Sequence, residues 1–147
     1  MNFAFRAATP ADAEWLAALR RITMRPYVEE TWRMWDDAVQ SARFEDPAEL
    51  AKISIVTIDG HDAGLWHVER SAHDIFLANV QILPSYQNRG LGSALIHRLL
   101  TEGHARNLPV RLQVLKVNLP ARRLYERLGF LAFDATPTHT LMIWRPR

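Results

Sequence analysis

Between residues 80 and 95 the chain reads Val80-Gln81-Ile82-Leu83-Pro84-Ser85-Tyr86-Gln87-Asn88-Arg89-Gly90-Leu91-Gly92-Ser93-Ala94-Leu95. This puts a glycine-rich turn between an apolar, strand-like run and an amphipathic, helix-like one. Glycine lets a backbone turn tightly and come close to a ligand. The start of the following helix offers unpaired N–H groups and the positive end of a dipole, a combination suited to phosphate. Arg89 adds a cation at the same place. Two common phosphate motifs do not fit. A P-loop needs a Lys that is absent, and a dinucleotide fingerprint needs Gly or Ala where Leu95 stands and should open the first strand–helix unit. A purely structural role, glycines admitting close helix–strand packing, stands beside the phosphate reading.

A second block lies downstream, Asn118-Leu119-Pro120-Ala121-Arg122-Arg123-Leu124-Tyr125-Glu126-Arg127-Leu128-Gly129-Phe130. Gln87 to Gly92 resembles the Gln/Arg-x-x-Gly-x-Gly/Ala signature of the GNAT family of N-acetyltransferases. The second block is similar to that family's Asn-x-x-Ala-x-x-Leu-Tyr-Glu-x-Leu-Gly-Phe and meets every specified position. The resemblance is sharp over residues 76–130 and covers the whole domain in element order.

The resemblance implies an enzyme that moves an acetyl group from acetyl-CoA to a primary amine, of a small molecule or a protein, by direct transfer in a ternary complex. Acetyl-CoA is the implied cosubstrate and no metal is implied. By position, Gln87, Asn88, Arg89, Gly90, Leu91 and Gly92, with Ser93, would hold the pyrophosphate through backbone N–H groups. Val80, Gln81 and Ile82 would form the strand that binds the pantetheine arm. In the family this strand and the next parallel one splay apart, and the arm's amides satisfy the backbone groups so exposed. An N–H near Ile82 would polarise the thioester carbonyl. Asn118 would contact the cofactor, cap its helix, or both. Tyr125 would be the general acid, since a phenol of pKa about 10 holds its proton at neutral pH and can give it to a departing thiolate. The alternative is that it is only an aromatic packing residue on an amphipathic helix.

The general base is not given by the motif. Many family members carry a Glu on the strand that here runs Phe76 to Ile82, but this chain has Asn79 and Gln81 and no carboxylate after Asp74. Glu29, Glu30, Glu69, His67 and a water relay from a backbone carbonyl remain as alternatives. For the acceptor, Tyr27, Glu29, Glu30 and Trp32 are the candidates. Residues 29–49 hold seven acids opposed in sequence only by Arg33 and Arg43. An acidic, aromatic mouth would attract a cationic amine such as a polyamine or a lysine side chain. The alternative is a solvated acidic helix face with Trp32 and Trp35 in the core.

These residues need a scaffold, and the periodicity supplies one. Residues 2–7 alternate as a short strand. Thr9-Pro10-Ala11-Asp12 starts a helix over 10–23 through Trp15, Leu16, Leu19 and Ile22, and Pro26 is expected to break it. A second helix is expected over 29–42. Ile53 to Ile58 is β-branched, Asp59-Gly60 is a hairpin turn, and strands follow over 63–69 and 73–82. Then come a helix over 90–105, a strand over 110–117, a helix over 119–128 closed by Gly129, and strands over 130–133 and 138–144. The expectation is one α/β domain of α+β type over residues 1–147. Its order is strand, two helices, three strands, helix, strand, helix, two strands, in a mixed central sheet with the splayed cofactor cleft of the GNAT fold between the fourth and fifth strands.

Composition narrows the classes. The 147 residues include no Cys, which excludes disulfides, thiolate metal sites and a cysteine nucleophile. The six histidines show no metal spacing, and no nucleophile-elbow motif exists. No apolar run reaches membrane-helix length and no signal-peptide pattern follows Met1 to Arg6, so the expected location is cytoplasmic, with no membrane partner. Sixteen of 18 basic residues are Arg, so the sequence pI of 9.4 reflects scarce buffering groups more than excess charge. Residues 1–87 carry net −5 and residues 88–147 net +7. Arg122, Arg123 and Arg127 form a basic patch that could meet the CoA 3′-phosphate or solvate a helix. Two rival classes are a non-catalytic acyl-CoA sensor on the same fold and a nucleic-acid-binding module using the basic C-terminal part. The reading adopted has no nucleic acid, and a homodimer is possible by resemblance.

Overall fold

The structure is a computed structural model that describes residues 2–147. Its elements run β1 (Phe3–Ala7), α1 (Ala13–Trp32), α2 (Asp37–Ala42), α3 (Pro47–Leu50), β2 (Ser54–Ile58), β3 (His61–Arg70), β4 (Ile75–Ile82), α4 (Leu91–Arg106), β5 (Val110–Leu115), α5 (Leu119–Arg127), β6 (Leu131–Ala135) and β7 (His139–Trp144). Short 3-10 turns cover Pro10–Asp12 and Pro84–Tyr86. The seven strands form one mixed sheet in the order β1-β2-β3-β4-β5-β7-β6. The α/β class and the strand sequence match the expectation from the residues.

Contacts divide the chain into two compact units, residues 1–67 with 79–89, and residues 68–78 with 90–147. In the first, β1 and β2 are antiparallel, with Phe5 opposite Val56. Asp59 and Gly60 both take positive φ, 49° and 82°, as a two-residue hairpin turn requires, and join β2 to β3. Leu16, Leu19, Phe44, Leu50, Ile53, Ile55 and Leu65 make its buried cluster. In the second, β4 runs parallel to β5 with Ile75 opposite Val110 and Leu77 opposite Leu112. β5 is antiparallel to β7, and β7 to β6. Leu91, Leu95, Ile96, Leu99 and Leu100 put one buried stripe along α4.

The N-terminal helices differ from the expectation. α1 does not stop before Pro26 but continues through it to Trp32. Proline removes only the bond to the carbonyl of Ile22, which lies on an exposed turn where water can replace it. Burial of Leu16, Leu19, Arg20 and Val28 holds the helix on both sides of the proline. The real stop is Arg33, left-handed at φ 61°, whose N–H bonds the Glu29 carbonyl. The expected helix over 29–42 is therefore split between α1 and α2. Its supposed apolar face does not exist, because Trp32 and Val39 are exposed and the Trp35 indole N–H donates to Asp37 at 2.7 Å. α2 starts at Asp36, whose carboxylate accepts from the N–H groups of Ala38 and Val39. α3 starts at Asp46 in the same way, followed by Pro47.

Candidate active site

The turn after β4 has the backbone its glycines suggested. Asn88 and Gly90 take left-handed φ of 60° and 82°. α4 begins directly afterwards, and its first internal bond runs from the Ala94 N–H to the Gly90 carbonyl at 3.0 Å. The N–H groups of Leu91, Gly92 and Ser93 thus have no acceptor within the helix. They are the ready donors of an anion cradle. Gln87 is tied back to the strand, its Nε2 donating to the Ile82 carbonyl at 2.8 Å. The Arg89 guanidinium lies over the Tyr86 ring, 5.8 Å from its centroid, and stays exposed.

At the end of β4, Gln81 is buried. Its Nε2 donates to Asn79 Oδ1 at 3.2 Å and its Oε1 accepts from the Thr23 hydroxyl at 3.1 Å. The same hydroxyl lies 3.0 Å from the Leu19 carbonyl. A helix side chain is thereby pinned to a strand 58 residues away. Across from it, any Cβ on Gly64 would collide with the Gln81 carbonyl. Glycine is needed there because the two backbones come too close for a side chain. The Leu83 N–H closes this region by donating to the Ala63 carbonyl at 2.9 Å. Val80 and Ile82 flank Gln81 and are half-buried.

In the second unit, Asn118 caps α5, its Oδ1 accepting from the Ala121 N–H at 3.3 Å. This is the capping role read from the sequence. Tyr125 is buried on α5 and its ring meets Phe130 edge-on, centroids 5.8 Å apart. Desolvation by burial pushes its phenol up to about 12, so it is a protonated donor throughout the neutral range. Arg122 is bound to Glu126 and Thr140, while Arg123 and Arg127 are exposed.

The acceptor candidates Tyr27, Glu29, Glu30 and Trp32 all fall on the last part of α1. Tyr27 and Glu29 are half-buried, whereas Glu30 and Trp32 are exposed. Glu29 is hydrogen-bonded by Arg25. The acidic run is more occupied than its sequence suggests. Asp36 and Asp46 cap helices, Asp37 binds Arg21 and Trp35, and Glu49 pairs with Lys52 at 3.2 Å. Among the described residues, Glu30 and Glu45 are the two of the seven acids outside these caps and pairs. Among the base candidates, His67 is half-buried and Glu69 exposed. No three His, Asp or Glu among the described residues form a group that could hold a metal.

Reading by motif missed Thr23, Gly64 and Asn79 as parts of one arrangement with Gln81. Thr23 and Gly64 stand in no motif, and only the pairing of α1 and β3 with the end of β4 reveals them. The absent carboxylate on β4 was the one available signal.

A family model described as the acetyltransferase (GNAT) family matches residues 16–130. No curated protein matched by sequence. Solved structures share the fold. The PaiA N-acetyltransferase from Thermoplasma acidophilum, in complex with coenzyme A, superposes with a TM-score of 0.77 at 15% identity, covering 99% of both chains. An acetyltransferase from Thermus thermophilus gives 0.75 at 18% identity, over 99% of this chain and 97% of that one. The ribosomal-protein-S18-alanine N-acetyltransferase from Escherichia coli gives 0.67 at 19% identity, over 98% and 94%.

Proposed function

Because the chain belongs to the acetyltransferase (GNAT) family, we propose that it transfers an acetyl group from acetyl-CoA to a primary amine directly, within a ternary complex. The observation that carries this reading is the segment Val80 to Ser93. It joins a strand end to a left-handed turn and three unpaired helix N–H groups. These donors fit a pyrophosphate, and the coenzyme A complex of the Thermoplasma acidophilum protein supports the same ligand here.

The residues then take distinct tasks. Gln87 braces the turn through the Ile82 carbonyl, while Asn88, Arg89, Gly90, Leu91, Gly92 and Ser93 hold the phosphates. Val80, Gln81 and Ile82 line the pantetheine arm, and the Ile82 N–H polarises the thioester carbonyl. Asn118 adds a contact to the cofactor while it caps α5. The amine nitrogen attacks that carbonyl, the new C–N bond forms and the C–S bond breaks. Tyr125 donates its proton to the leaving sulfur. With its pKa pushed up to about 12 by burial, the phenol keeps its proton throughout the neutral range until the thiolate departs. β4 offers no carboxylate, so the amine's surplus proton leaves by a water relay from a backbone carbonyl.

The deciding experiment is thiol release from acetyl-CoA across amines, comparing wild type with Tyr125→Phe. Amine-dependent release that collapses in the variant supports the reading. Full activity in the variant removes Tyr125 from it, and absence of acetyl-CoA binding overturns it.

A further inference from the structure

Arg20 is buried, with 7% of its surface exposed, in a stripe otherwise made of Leu16, Leu19 and Val28. Its hydrogen bond runs from Nε to a neutral acceptor, Gln40 Oε1, at 2.7 Å. Burial, and after it the charge of Arg43, another cation, pull the Arg20 proton affinity down to about 10. Arg20 therefore remains a guanidinium at neutral pH. Its Nη atoms are neither hydrogen-bonded among the described residues nor sealed from solvent, so the tip of this otherwise buried guanidinium is open to an anion. The other arginines of the first unit that form side-chain hydrogen bonds each have a carboxylate, Arg6 with Asp12 and Asp62, Arg21 with Asp37, and Arg25 with Glu29. Arg20 has none.

Its surroundings say what is missing. With Nε engaged by Gln40, the two Nη groups keep the end-on fork that matches a carboxylate with two parallel hydrogen bonds. Thr23 follows three residues later on the same side of α1, about 4.5 Å further along the axis, and it binds Gln81 at the end of β4. Arg20 thus lies on α1 one turn before the residue that meets the end of β4. The acids of the acidic run point the other way, since five of the seven are already in caps or ion pairs.

We propose that Arg20, with Arg43 beside it and Gln40 orienting it, anchors a carboxylate on the acceptor, so that the acceptor is an amine of the amino-acid class and not a polyamine. This inference rests on the acetyl-transfer reading and names its substrate class.

The test is thiol release from acetyl-CoA with free amino acids, their carboxamides, and the polyamines spermidine and putrescine, alongside thermal stabilisation by acetyl-CoA alone. At least one free amino acid is expected to react ~10-fold or more better in kcat/KM than its carboxamide, the size of a lost charged hydrogen bond. Arg20→Met should abolish that preference through KM for the amine, with KM for acetyl-CoA unmoved. Arg20→Lys, which keeps the charge without the fork, should retain part of it. Arg43→Gln, at an exposed position, should reduce the preference in a chain that folds normally, which guards against misfolding of the Arg20 variants. Equal use of acids and carboxamides, a preference for polyamines, or no turnover across the panel while acetyl-CoA still stabilises the fold each overturn the proposal. Loss of acetyl-CoA stabilisation in the wild type would instead overturn the transferase reading beneath it.

Discussion

Replacing Tyr125 with Phe removes one oxygen and leaves the ring against Phe130. Two separate consequences follow, one in rate and one in stability. If the phenol is the proton donor, kcat should fall by roughly 10²–10⁴-fold at pH 7–8, the usual worth of a positioned acid, with KM for acetyl-CoA little changed. The stability consequence comes from burial alone. The phenol titrates near 10 when unfolded and is pushed up to about 12 in the fold. A raised pKa means the folded state holds the proton longer than the unfolded state. Its contribution is complete below pH 10 and is lost as pH climbs toward 12. Two pH units correspond to roughly 3 kcal/mol in full, of which about 2 kcal/mol is lost by pH 12. Urea unfolding of both proteins from pH 8 to 12 reads this as the wild type losing stability faster than the variant. Parallel curves would refute the buried, protonated phenol. A divergence in stability without a fall in kcat would keep the burial and refute the acid.

Three further perturbations probe the scaffold. Gly90→Ala meets no neighbour but must hold φ at 82°, so stability should drop by about 1–2 kcal/mol in urea unfolding, and KM for acetyl-CoA should rise as the cradle relaxes; an unchanged KM would remove the turn from cofactor binding. Gly64→Ala drives a Cβ into the Gln81 carbonyl, and should destabilise by roughly 1–3 kcal/mol and lower kcat together, checked by unfolding and by turnover of the remaining folded fraction. The Arg6 hydrogen bond holds Asp12 down to about 2, so its contribution is present above the ordinary carboxylate range and disappears as pH falls toward 2. Because Arg6 is 39% exposed, Asp12→Asn should lose on the order of 1 kcal/mol at pH 7, with wild type and variant converging at pH 2; a constant gap at both pH values would refute the ion-pair origin.

What the sequence made legible was local. The turn from Gln87 to Gly92 and the helix from Asn118 are set by residues that cap, terminate or accept positive φ, and each does so through neighbours within a few positions. What it hid depends on partners far along the chain. Pro26 is a reliable breaker only when nothing else holds the helix, and here buried residues on both sides outweigh one lost hydrogen bond. Asp36 and Asp46 carried a local signal too, as caps before Asp37 and Pro47, but counting them as net charge concealed it. The pairing of Thr23 with Gln81 has no trace in either segment alone.

The same distinction governs the acceptor. A run of acids suggests a cationic substrate only if those acids remain unspent after folding, and Arg21, Arg25 and Lys52 reach into the run from outside it. Conversely, Arg20 contributes one unit to a nearly balanced total, and nothing in that total marks it. Its position four residues after Leu16 puts it on the apolar stripe, which is the one sequence feature that could have singled it out. Substrate charge is therefore better inferred from the residual left after each buried ion is matched with its partner than from the charge of any segment. By that measure the buried ion left without a carboxylate on α1 is the Arg20 guanidinium, and the proposed carboxylate anchor rests on it.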